Sequence, residues 1–143
     1  MRSANGLVFT SAGANANIHL WLSGDRLWDL WVNYYETPKH TCSAEYFSYY
    51  KGSKFQALHK VFHENRSVFE KYEAIFVLDD DLIFSTSDIN KVFFVFTQYD
   101  LGALSPAFSD RGRVSHSITR YRPFTKIRFT NFIEVTCPLF RAD

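Results

Sequence analysis

The sequence predicts an α/β domain with a mostly parallel sheet flanked by helices. Short runs of apolar, β-branched and aromatic residues alternate with segments of helical spacing, the order expected when helices cross over between parallel strands. One run is especially apolar, Ala74-Ile75-Phe76-Val77-Leu78. It is too short for a helix and reads as a buried strand. The 143 residues, 46% of them hydrophobic, suffice for one domain with a core.

The elements follow in order. Leu7 to Thr10 reads as a first strand, stopped by the small residues Ser11-Ala12-Gly13-Ala14. Asn15 to Leu22 has room for one or two helical turns, and Gly24-Asp25 signals a turn. Arg26 to Tyr35, rich in Trp, Leu, Val and Tyr, is a second strand. Glu36 to Tyr50 has no period, is broken by Pro38, and reads mostly as loop. Ser53 and Gln56 have the spacing of a capping box, and Phe55, Leu58, Val61 and Phe62 then share one helical face. Ser67 and Glu70 repeat that spacing, so a new helical turn is expected after Asn65, with Val68, Phe69 and Tyr72 inward. After the strand Ala74–Leu78, Ser87 or Asp88 can cap a helix with the stripe Ile89, Val92, Phe93 and Phe96. Leu101 to Leu104 is a further short strand, and Ala107 to Pro123 a long polar loop. Thr125 to Thr136 returns to strand character, with a phase change near Asn131 that suggests a bulge. No repeat or linker marks a second domain.

Composition bounds the partners. The formal net charge of +1 gives no electrostatic case for nucleic acid as the main partner. No apolar run reaches transmembrane length, and Met1 to Thr10 is too short in apolar content for a signal-peptide core. Cys42 and Cys137 match no metal spacing; they read as free thiols, with one long-range disulfide as the alternative. Free thiols fit a reducing compartment, hence a cytoplasmic expectation, with peripheral membrane association compatible. Asn65-Arg66-Ser67 fits a glycosylation sequon, a tripeptide common by chance. Aromatics make up 18% of the chain and can line a cleft or a homo-oligomer interface.

The chemistry concentrates in Asp79-Asp80-Asp81, which directly follows the apolar strand. Three acids cannot be buried unpaired, so they belong at the strand's exposed end, where open α/β sheets bind ligands. Hard oxygen ligands there suit Mg²⁺ or Mn²⁺ and, through the metal, a diphosphate. On an extended backbone Asp79 and Asp81 point the same way and can serve one ion, while Asp80 points elsewhere, toward a sugar or ribose hydroxyl. The same acids also read as a solvated turn capping the next segment.

Ile75-Phe76-Val77-Leu78-Asp79-Asp80-Asp81-Leu82 resembles the DxD segment of GT-A glycosyltransferases, which use nucleotide-diphosphate sugars. Lys51-Gly52-Ser53-Lys54, Thr130 to Val135 and Cys137-Pro138-Leu139-Phe140 are similar to an uncharacterised group of GT-A-like proteins known as a domain of unknown function. The resemblance implies a GT-A-like (Rossmann-like) fold over residues 1–143. It also implies a nucleotide-sugar donor, a glycan or other hydroxyl acceptor, and Mn²⁺ or Mg²⁺ held by Asp79 and Asp81. The metal would offset charge on the departing diphosphate. Thr10 and Ser11 would lie where such proteins hold the nucleotide, and Lys54 would contact donor phosphate; both are also ordinary polar positions. Glu134, opposite in phase to Ile133 and Val135, could act as general base in a cleft or be a half-exposed strand residue. His116, Arg120, Tyr121 and Arg122 could contact acceptor or phosphates, or form an exposed basic loop. The resemblance further implies that complete GT-A domains continue beyond the equivalent of Cys137–Phe140, so the chain is expected to be short at its C-terminus.

Two other readings stand beside glycosyl transfer. One is a non-catalytic remnant that binds a nucleotide or a protein partner, its aromatics covering an interface. The other is a phosphohydrolase with an aspartate nucleophile. That chemistry wants further downstream acids and a lysine, and after Asp100 the chain offers only Asp110, Glu134, Asp143 and Lys126.

Overall fold

A computed structural model of the chain describes residues 6–143. The start of the short N-terminal stretch weighed as a signal peptide, residues 1–5, lies outside the described residues. Six strands form one sheet: β1 (Gly6–Ala12), β2 (Trp28–Tyr34), β3 (Tyr46–Ser48), β4 (Ala74–Asp79), β5 (Ala103–Leu104) and β6 (Leu139–Arg141). Their order is β3-β2-β1-β4-β6-β5. The first four are parallel; β6 runs antiparallel to β4, and β5 antiparallel to β6. The architecture is therefore α/β with a mixed sheet. The helices are α1 (Ile18–Trp21), α2 (Lys54–Glu64), α3 (Arg66–Phe69) and α4 (Thr86–Gln98).

Strand alternation sorts the core into two layers. Val8, Leu30, Phe76 and Leu78 pack with α1 and α4 through Trp21, Ile89, Phe93 and Phe96. Leu7, Phe9, Trp31 and Val77 face the other way, toward Ala57 and Val61 of α2 and Phe69 of α3. All seven residues of β1 are buried, as a central parallel strand covered on both faces requires. Gly6 allows that closeness: a Cβ there would stand 2.5 Å from the Phe93 ring. Asp79 shares its phase with Val77, so it faces α2.

The helix starts follow local chemistry. Ser53 and Gln56 form the expected capping box of α2. The box of α4 is Ser85 with Asp88, two residues earlier than a Ser87 cap, and Ile89, Phe93 and Phe96 are buried as its stripe predicts. The turn of α3 begins after Asn65, but Ser67 and Glu70 make no capping box. Glu70 instead pairs with Arg66 at 3.3 Å.

Two expectations are corrected. Within Glu36–Tyr50, read mostly as loop, Tyr46–Ser48 forms the short edge strand β3 on β2. Thr125–Thr136 is not a strand. The chain between β5 and β6 is irregular apart from a single 3₁₀ turn, Ser117–Thr119, and an isolated bridge between Phe108 and Arg120. Its apolar alternation pairs with no strand, and residues 136–141 take the edge of β4 instead. There Val77 N–H donates to Pro138 O at 2.9 Å and Asp79 N–H to Thr136 O at 3.0 Å, continuing the ladder of β6.

Candidate functional site

β2 and β3 lie on one side of β1, and β4 lies on the other. The strand order reverses between β1 and β4, the topological position at which open α/β sheets bind ligands. Asp79 is the last residue of β4, and the backbone turns at Asp80–Asp81. The extended alternation that would align Asp79 with Asp81 therefore stops short of Asp81, and each acid has its own surroundings.

Asp80 bends toward the end of β1, where its Oδ2 accepts the Gly13 N–H at 2.7 Å. Its carbonyl accepts the Asn17 N–H at 2.7 Å, and the Asp81 carbonyl accepts Asn17 Nδ2 at 2.9 Å. Trp21 Nε1 donates to Leu82 O at 3.0 Å. These bonds stitch the loop after β1 to the acidic turn and leave the Asp81 side chain exposed. Burial raises the Asp80 pKa above its ordinary value; the charges of Asp81 and Asp79 push the same way, and the Gly13 N–H opposes them. Tyr35 lines this side too, its phenol pKa raised by burial and then by Asp80, Glu36 and Asp81. A Cβ on Gly13 would meet Tyr35 Oη at 2.5 Å, so only glycine fits the loop without a shift.

Asp79 is held by Lys54, whose side chain is only 11% exposed. Lys54 Nζ donates to Asp79 Oδ1 at 2.6 Å, Val135 O at 2.7 Å and Thr136 O at 3.1 Å. An ammonium has three protons, and here all three have protein acceptors. The predicted contact of Lys54 with donor phosphate finds no free proton in this arrangement; Lys54 is a tether joining α2, β4 and the approach to β6. Next to it, burial pushes the Cys137 thiol up to about 12. Both cysteines are free, Cys42 half-buried and Cys137 buried.

Thr10 and Ser11 lie at the predicted end of β1, yet both are buried. Thr10 Oγ1 donates to Leu78 O at 2.8 Å, and Ser11 Oγ accepts from Asn33 Nδ2 at 2.9 Å. Both hydroxyls join strands. Asn33, which sequence reasoning passed over, also donates to Tyr50 O and accepts from Ser48 Oγ and the Tyr50 N–H. The available signal was an amide inside the apolar run Trp28–Tyr34.

Glu134 is not on a strand, and its predicted orientation is reversed. Glu134 is buried at 9% exposure, and Val135 is outside. Lys54 draws the carbonyls of 135 and 136 inward, which fixes the backbone on either side of this turn. Thr136 Oγ1 donates to Glu134 Oε1 at 3.3 Å, and His116 Nε2 lies 3.6 Å from Oε2. The Phe132 ring packs on His116 with centroids 4.8 Å apart. Of the predicted basic-loop residues, the structure brings His116 to Glu134 and places Arg120, Tyr121 and Arg122 on a separate cleft.

Among the described residues no three His, Cys, Asp or Glu side chains converge as a metal set. Mg²⁺ commonly takes one or two carboxylates and completes its shell with water and substrate phosphate. Asp79 and Asp81 supply two carboxylates, and no third such side chain joins them among the described residues. Two clefts, of about 350 and 570 Å³, lie elsewhere and are not lined by Asp79–Asp81. No family model matches this chain, and no curated protein matches it. No helix among the described residues is long and apolar enough to cross a membrane.

Proposed function

We propose that the chain binds a nucleotide-diphosphate sugar with Mn²⁺ or Mg²⁺ at the carboxyl ends of β1 and β4 and transfers the sugar to a hydroxyl acceptor. One observation carries this reading: the sheet reverses order where the Asp79–Asp81 turn and the loop after β1 are bonded together. Asp79 and Asp81 are the carboxylates that would hold the metal, and Asp80 would meet the sugar or ribose. The bound metal would supply Lewis-acid stabilisation of the diphosphate leaving group. Lys54 positions Asp79. Glu134, with His116 beside it, is the base that would take the acceptor proton. A cytoplasmic location belongs to the same proposal and is supported by the two free thiols. The test is nucleotide release from a panel of nucleotide sugars with Mn²⁺. Metal-dependent release that is lost in Glu134→Gln, with nucleotide binding intact, supports transfer.

Lys54 favours a second reading. It already neutralises Asp79, so a non-catalytic domain that binds nucleotide or a protein partner needs no metal there. Nucleotide binding without release, and indifferent to chelator, selects that reading.

A further inference from the structure

The charge of this chain is unevenly placed. The whole sequence has 16 Lys and Arg against 15 Asp and Glu, yet residues 107–133 hold six of these cations and one acid, Asp110. Four of the six, Arg120, Arg122, Lys126 and Arg128, meet Lys91 of α4 around the cleft of about 350 Å³, and no Asp or Glu lines it. Arg120 is paired with Asp110, and Lys91 lies near Asp88. Arg122, Lys126 and Arg128 form no ion pair among the described residues. The Arg128 guanidinium donates to the carbonyls of Ile118 and Arg120, which fixes its charge in place without neutralising it.

The remaining wall is largely apolar, with Ser105, Thr119, Thr125 and Thr130 among it. Val92 and Val95 of α4, Leu104 of β5, and Phe129 and Phe132 of the long segment line it. Its volume lies in the range of small-molecule sites, which are mostly apolar with a few directed polar groups. Three uncompensated cations exceed what a single carboxylate would balance. They suit the nearly two charges of a phosphate monoester, and guanidinium forks match its oxygens.

We propose that this cleft binds a phosphate monoester carried on an apolar body, with Arg122, Lys126 and Arg128 on the phosphate and the apolar wall around the body. The proposal stands apart from Asp79–Asp81 and does not need glycosyl transfer. The ester is either soluble or the head group of a lipid, and the two sources share this chemistry.

The test titrates the full chain with 1-naphthyl phosphate, 1-naphthol and inorganic phosphate, and with phosphatidylcholine vesicles with and without phosphatidic acid. Naphthyl phosphate is expected to bind at least about tenfold tighter than either of its halves. The double variant Arg122→Met/Lys126→Met, whose side chains support no described bond, is expected to weaken it by about tenfold or more at unchanged melting temperature. Arg128→Met should weaken it to the same degree, with a lower melting temperature because the Ile118 and Arg120 carbonyls lose their donor, and Asp81→Ala should leave this binding unchanged. Retention of phosphatidic-acid vesicles that is lost in the double variant assigns the source to a lipid; binding of the soluble ester alone assigns a free phosphate ester. The proposal is overturned if neither naphthyl phosphate nor phosphatidic-acid vesicles bind, or if the double variant binds as the parent does.

Discussion

Asp80 sits where burial disfavours its charged form. Its carboxylate is half-buried beside Asp79 and Asp81, and one Gly13 N–H does not compensate. The folded state therefore holds its proton to higher pH than the unfolded chain does. Stability falls as pH rises from the ordinary carboxylate value through the raised one, because the folded state binds more protons in that window. Asp80→Asn keeps an acceptor for Gly13 and removes the charge. Its melting temperature should exceed the parent's above the window, with the gap closing as pH falls; urea or thermal unfolding across pH reads this out. A gap that widens toward low pH would contradict the assignment. The thiols give a second residue-scale test. Burial holds Cys137 largely protonated at pH 8, and half-buried Cys42 is the accessible one. Labelling of the native chain should stop at one thiol, and denaturation should release the second.

The acids and Lys54 stand out in the sequence by position, but their partners do not. The acid-bearing strand ends at Asp79, and nothing in a run of three aspartates marks the turn at Asp80. Nor does a lysine at a helix start announce acceptors 81 and 82 residues away.

At the scale of elements, what was local was readable. The Ser53–Gln56 box, the strand Ala74–Asp79 and the apolar stripe of α4 all follow from spacing within a few residues. What depended on competition for an edge was not. Thr125–Thr136 has strand alternation, but the edge of β4 belongs to residues 136–141, so Phe129 is left 88% exposed. β3 is only three residues long and depends on Asn33 of the neighbouring strand. Lys54 ties α2, β4 and the approach to β6 together. Lys54→Met leaves the Asp79 carboxylate and the Val135 carbonyl without the Lys54 donor, while Thr136 O keeps the Asp79 N–H, and should cost about 2–3 kcal/mol, the value of hydrogen bonds to a charged group. Amide exchange should rise in residues 134–137 before it rises in β1. Uniform exchange, or a cost near zero, would show that the tether is incidental.

The whole molecule places its chemistry through topology. Four parallel strands reverse order between β1 and β4, and the antiparallel β6 seals the far edge of β4. That reversal falls at the carboxyl ends of the two central strands, where the chain has the Asp79–Asp81 turn. Alternating strands and helices made the α/β class readable; the antiparallel return was not, since three residues after a long irregular segment carry little pattern. The basic cleft beside α4 is a second feature of the whole molecule, because Lys91 and the segment 118–133 are brought together only by the fold.

The proposed role of Asp79 and Asp81 is to hold a metal shared with a nucleotide diphosphate. Calorimetric titration of the chain with UDP, with and without Mn²⁺ and in parallel with Asp81→Ala, tests it most directly. Saturable binding is expected that requires Mn²⁺ and falls at least about tenfold in the variant, with the melting temperature of the free protein retained. No binding, or binding that ignores both chelator and Asp81→Ala, would contradict it.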